Sequence, residues 1–255
     1  MKKATTAAVA LSAALILTGC SHAGQAVTVG NAAKSTKSAA PVEQGARRIL
    51  STTQATAALP TLAQVGTEWA EGKSSNRSNT DSSNKTLPTF TPASCSFSAA
   101  NGALSDLAVV PLNTMPVAIA EGNFHTPPAA DDTIGLTVRA LSVTVKSYKD
   151  DINAHRLDQI AARLKDCAKF TSGDSAGITT TWQLFPVSLP NYGDGTLAFR
   201  MQGGLSFLIV LMDSVQIVTG HNLITITQAG VGKIDTELAG SVAKAVMANL
   251  DTATK

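Results

Sequence analysis

Three cysteines, four histidines and two pairs of adjacent aspartates are the residues through which this chain could do chemistry. His22, His125, His155 and His221 stand far apart, and the sequence holds no HExxH metal motif, no GxSxG nucleophile elbow, no Walker loop and no dinucleotide glycine fingerprint. His22 lies in a polar stretch, His125 beside Pro127 and Pro128, His155 on the polar side of an expected helix and His221 in an expected turn. Each reads as a surface residue. Asp131 with Asp132 and Asp150 with Asp151 are adjacent, so their side chains point apart, whereas an acid–base pair converges on one substrate and calcium takes several oxygen ligands. Helix caps and turns are their expected roles, and "NYGDG", Asn191 to Gly195, is likewise expected to be a turn. No catalytic residue, metal site or cofactor is expected.

Cys20 differs in kind because a targeting signal precedes it. Met1, Lys2 and Lys3 make a small positive start, Ala4 to Ile16 is apolar apart from small hydroxyl residues, and "LTGC" ends the run at Cys20. Crossing a bilayer takes about 20 apolar residues, and this stretch is too short. Its ending resembles a bacterial lipobox, in which the cysteine thiol takes a diacylglyceryl group and the chain is cut just before it. Residues 1–19 are then a lipoprotein signal peptide, Cys20 is the lipidated first residue of the mature protein, and the membrane is its first partner. Two acyl chains attach a protein stably, each buried methylene contributing about 0.8 kcal/mol. The expected location is a cell membrane, lipid-anchored and facing outside the cytoplasm.

Twenty basic residues, less Lys2 and Lys3, balance eighteen acidic ones, so the mature chain has no formal net charge and no basic cluster. Nucleic acid is therefore not an expected partner. Residues 20–44 are rich in Ala, Ser, Gly, Thr and Lys without a sustained period, the composition of a flexible linker. The remainder, residues 45–255, suits one core. Within it the polar run at about 72–92 is expected to be a mobile loop.

A first helix is expected over Ala46 to Leu59, stopped by Pro60, and a short one near Cys95. Pro111, Pro116, Pro127 and Pro128 make the stretch between them extended or irregular. Leu136 and Val138 alternate out of phase with Leu141, Val143 and Val145, which implies a bulge or two strands. From Asp150 the best helix follows, with Leu157, Ile160, Ala161, Leu164, Cys167 and Ala168 on one face and acidic residues near its start. "ITTTWQLFPV" and "TLAFRMQG" read as strands about a turn. "LSFLIVLMDSVQIV" reads as a central strand whose Phe207 to Met212 segment is covered on both faces. "TGHN" makes a tight hairpin into "LITITQ", and Asp235 can cap a last helix carrying Leu238, Val242, Val246 and Leu250. The expected fold is α+β, a mainly antiparallel sheet with helices packed on it in a single domain.

With Cys20 acylated, Cys95 and Cys167 remain, an even pair in an oxidising compartment, for which a disulfide closing about 70 residues is expected. Two buried thiols or a metal pair are the alternatives, the latter without ligand spacing nearby. The lipobox, "ASC", "LDQIAARLKDCAKF", "PVSLPNYGDGTLAFRM", "GHNLITITQAG" and the closing helix resemble actinobacterial lipoproteins. These are similar to the extracellular sensor domain of PknH-type mycobacterial serine/threonine kinases. The resemblance covers about residues 45–250 and implies a sheet flanked by helices, conserved disulfides and a domain that senses or binds something outside the cell. This chain lacks the kinase sensor's second bridge and has no kinase domain, so a signalling role would need a separate partner.

Trp182, Phe185, Tyr192 and Phe199, with Arg139 and Arg200, could line a cleft with an apolar wall and a cationic rim, or else be core and solvent face of a sheet. The expected function is a non-enzymatic, membrane-anchored binding domain for a small ligand, a cell-wall fragment or another envelope protein. The alternatives are a cell-envelope hydrolase and a structural or inhibitory partner of another exported protein.

Overall fold

The computed structural model describes residues 44–72, 89–95, 115–132, 137–173, 179–205 and 208–255. The expected signal peptide, Cys20, His22, nearly all of the expected linker and residues 73–88 of the expected loop lie outside the described residues. In chain order the elements are α1 (Thr52–Ala57), α2 (Leu62–Val65), β1 (Ala70–Glu71), β2 (Thr89–Thr91), β3 (Ala118–His125), β4 (Ala140–Ser147), α3 (His155–Asp166), β5 (Lys169–Gly173), β6 (Thr179–Pro186), β7 (Gly195–Leu205), β8 (Leu208–Thr219), β9 (Asn222–Val231) and α4 (Leu238–Ala253). Single 3-10 turns occupy Gln44–Arg47 and Ala93–Cys95. All nine strands join one sheet in the order β1-β3-β4-β9-β8-β7-β6-β5-β2, and every neighbouring pair is antiparallel. The expected α+β domain is what forms.

Alternation of side chains along the strands splits the apolar residues between two cores. On one face Leu141, Val143 and Val145 of β4, Val215 and Ile217 of β8, and Ile224 and Ile226 of β9 pack beneath Leu238, Val242, Val246 and Leu250 of α4. On the other face Trp182 and Leu184 of β6 and Phe199 and Met201 of β7 pack beneath Leu157, Ile160 and Leu164 of α3. The disulfide between Cys95 and Cys167 lies in this second core, with Cα atoms 5.5 Å apart. The β8–β9 hairpin turns through Gly220 and His221, between the paired Thr219 and Asn222. Gly220 takes φ +54°, a left-handed conformation open to glycine because it has no Cβ.

Several expectations are corrected. The first helix does not start at Ala46. Asn222 holds the carbonyls of Ala46 and Arg48 at 2.9 Å each, and α1 begins after Ser51, which forms a reciprocal capping box with Gln54. Thr61 and Gln64 repeat the device for α2. The proline-bearing stretch contains a regular strand, β3, paired with β4 along its whole length, because Pro116, Pro127 and Pro128 fall outside its ends. The last residues of the expected loop form β2, which pairs with β5, and β5 itself occupies what read as the tail of the best helix. Helix α3 starts only at His155, so Asp150 and Asp151 do not cap it, and Ile152 is tied instead by its N–H to the Gly220 carbonyl at 2.9 Å. Asp235 stands two residues short of the capping position. There it accepts the Glu237 N–H at 2.9 Å, while the buried Gln228 amide bonds both the N–H and the carbonyl of Asp235.

The burial of β8 is the reverse of its hydropathy. Ile209 is 47% exposed and Val210 to Met212 are half-buried, whereas Asp213 to Thr219 are buried throughout. Phe207 lies outside the described residues. Cover decides this: α4 lies over Val215 and Ile217, and Asp213 is held by a paired arginine rather than by water. No bulge interrupts β4, which begins at Ala140, after Val138.

Candidate functional site

The histidines do not converge. His125 ends β3, paired with Ala70 and Ala140, and His155 opens α3 with its Nδ1 2.9 Å from Asp158 of the same turn. His221 sits in the hairpin turn but is not an open surface residue. Its Nδ1 is buried without a hydrogen-bond partner among the described residues, and its Nε2 lies 3.4 Å from Asp151. Asp132 accepts from the N–H and hydroxyl of Thr137, a turn role. "NYGDG" forms its turn through Gly193 at φ +66°, and Asp194 there pairs with Arg47 and accepts the Gly220 N–H at 2.7 Å. One carboxylate thus joins two turns to the first described segment. Among the described residues no three His, Cys, Asp or Glu side chains gather to hold a metal ion.

Of the two readings of the aromatic and arginine residues, a shared cleft or core and sheet face, most of them follow neither a common cleft nor an open face. Trp182 lies against Phe170, ring centroids 6.4 Å apart, donates its indole N–H to Ser172 at 2.8 Å and covers Gly203, where a Cβ would fall 2.5 Å from the ring. Tyr192 packs on the opposite face and donates its hydroxyl to the Gly240 carbonyl at 3.3 Å. Arg139, toward the β1 side of the sheet, bonds Glu68 at 2.9 Å and stacks over Trp69. Arg200 makes two bonds to Asp213, at 2.7 and 2.8 Å. That hydrogen bonding raises the guanidinium's pKa above its ordinary value; burial opposes it and the carboxylate's charge adds to it. Both arginines are committed, so neither forms a cationic rim.

Phe185 and Phe199 do share a cavity, of about 410 Å³, between α3, the end of β6 and the start of β7. Its origin is local. Strand β6 ends at Pro186 and the chain leaves the sheet through Val187 to Leu189, while the close approach of Leu157 and Ala154 to Gly195 sets α3 across β7. The groove between helix and departing strand is walled by Ala161, Leu164 and Ala168 on one side and by Leu184 to Leu189 and Leu197 to Phe199 on the other. Phe185, 42% exposed, borders the groove at a β6 position that alternates to the face opposite Leu184. Lys165 is the one charged residue of the lining, and it has no ion-pair partner among the described residues. Of the two lining hydroxyls, that of Thr196 is used by the Tyr192 backbone, accepting its N–H at 2.8 Å and donating to its carbonyl at 3.0 Å. The other, Ser188, has no histidine or carboxylate beside it in the groove. Such a lining can hold an apolar group next to a positive charge. Sequence reading missed Lys165, although Ala161, Leu164 and Lys165 sit at helical spacing along α3.

No protein-family model matches the chain, and no curated protein matches it. Two solved structures are similar. The extracellular domain of PknH from Mycobacterium tuberculosis superposes with a TM-score of 0.54 at 12% identity, over 81% of this chain and 99% of that one. An uncharacterized protein of Mycobacterium smegmatis, an Rv0999 ortholog, gives a TM-score of 0.40 at 12% identity, over 75% of this chain and 97% of that one. At such identity the likeness to the PknH domain is one of fold, and this chain has a PknH-like fold.

Proposed function

We propose that this chain is an extracytoplasmic lipoprotein, held to a membrane through Cys20, whose domain binds a ligand or partner in the groove beneath α3 without transforming it. The observation that carries the reading is the groove itself: about 410 Å³, within the range of small-molecule sites, mostly apolar, and lined among the described residues by one cation and no histidine or carboxylate. The lipobox-like "LTGC" supports the anchor, and no helix among the described residues is long and apolar enough to cross a membrane. The decisive experiment places a photo-crosslinking amino acid at Phe185 in the full chain, irradiates membranes of an actinobacterial host and analyses lipids and proteins in the purified adduct. Enrichment over a control lipoprotein is expected, and its absence overturns the binding reading. The anchor is tested separately by Cys20→Ser, which should leave an uncut precursor without acyl groups; normal processing and membrane retention would refute it.

One observation favours a second reading, a structural or inhibitory partner of another exported protein. Met115 and Val117, just before β3, and Ile119 within it are 71%, 55% and 45% exposed. Under this reading Val117→Lys with Ile119→Lys abolishes capture of a protein partner while crosslinking at Phe185 is unaffected.

A further inference from the structure

We infer that the groove takes a single-chain anionic amphiphile, its apolar chain lying between α3 and the end of β6 and its acid head on Lys165; this inference rests on the binding reading above. Three observations converge on that class. Most of the wall is apolar, and of its two hydroxyls that of Thr196 is already engaged, which leaves Ser188 to a polar ligand, so a sugar or peptide placed there would give up more bonds to water than it regains. An apolar chain gives up no such bonds in the same transfer and gains cover along Leu164, Leu197 and Phe199. The charge is of one sign. Among the described residues Lys165 is the only ionisable one of the lining, so an anionic head gains a charge-assisted hydrogen bond while a cationic head meets repulsion with no carboxylate of that lining to offset it. A lysine also suits such a mouth, because its methylene stem lies along apolar surface while its ammonium reaches out. Size adds the last constraint. A cavity of about 410 Å³ is near the lower end of the range for small-molecule sites, which fits one chain better than the two of a membrane phospholipid.

The test uses a chain of residues 21–255, exported behind a signal peptide that is not acylated and then oxidised, which needs no detergent and keeps every described residue. It is titrated calorimetrically, below micelle-forming concentrations, with dodecanoate and with dodecyltrimethylammonium, two probes of equal chain length and opposite head charge. Dodecanoate should bind one to one and about tenfold more tightly than the cation. Lys165→Glu, an exposed change on α3, should remove or invert that preference, and Ala161→Trp, which fills the groove, should weaken both probes. Phe185→Ala provides a second groove variant should Ala161→Trp misfold. Equal affinity for the two probes, or an unchanged ratio in Lys165→Glu, overturns the assignment. A neutral or cationic molecule captured at Phe185 would sink this ligand class and leave the binding reading standing, whereas failure of that capture sinks the binding reading itself.

Discussion

Removing the bridge between Cys95 and Cys167 gives the sharpest energetic test of how this domain is held. The two residues are 72 positions apart, and the chain-entropy relation for closing a loop of that size gives about 4 kcal/mol at 25 °C. Both sulfurs are buried, so alanine is a better replacement than serine, whose hydroxyl would enter the core without a partner. The double variant Cys95→Ala with Cys167→Ala should therefore lose about 3–4 kcal/mol, a large part of the roughly 5–15 kcal/mol typical of a domain. Urea unfolding without reductant measures this, and the native tryptophans report on both cores, Trp69 on the α4 side and Trp182 beside the bridge. The midpoint should fall while the slope rises, because an unbridged unfolded chain exposes more surface. Transitions seen by fluorescence and by circular dichroism should coincide. A loss below about 1 kcal/mol with an unchanged slope would refute the claim that the bridge acts by restricting the unfolded chain.

Three further outcomes follow from named contacts. Gly220→Ala forces a side chain into a left-handed turn and puts its Cβ 2.4 Å from the Arg47 carbonyl oxygen, so a loss of about 2–3 kcal/mol is expected in thermal unfolding; a loss under about 0.5 kcal/mol would mean the turn relaxes freely. Asp213→Ala removes both bonds to Arg200, and since that guanidinium is a quarter exposed the cost should fall at or below the usual range of about 3–5 kcal/mol for breaking a buried pair; pairing Asp213→Leu with Arg200→Met should recover most of it. Leu250→Ala leaves a void under α4 at a fully buried position and should cost about 2–5 kcal/mol by denaturant titration.

Elements with a strong period were legible in the chain. The apolar stripe of α3, the four large residues of α4 and the Gly220 turn all stand where the spacing put them, because one covered face leaves an unambiguous pattern. The pairing of Cys95 with Cys167 was legible by elimination once Cys20 was set aside. Strands β1, β2 and β5, of two, three and five residues, were missed since so few positions carry no period of their own, and their partners define them. The capping boxes at Ser51 and Thr61 were visible as Ser and Thr three residues before Gln, and would have placed α1 and α2 correctly. The groove was only half legible. Phe185 and Phe199 were marked as cleft residues, but alternation alone could not show that Trp182 was taken by Phe170 and Ser172, or that Arg200 was taken by Asp213. Lys165 gains its meaning from the strand that leaves the sheet opposite it.

The two outermost strands of the sheet also bear on how closely copies of such a protein can crowd. A sheet of nine antiparallel strands is in principle a template for further strands at either border. Here the borders are β1, two residues ending in Glu71, and β2, three residues followed at once by Pro92, which has no N–H to lend. Among the described residues a neighbouring copy would find only these short, interrupted ladders to dock on. Terminating the sheet in this way lets copies stand side by side at high local concentration without fibre growth.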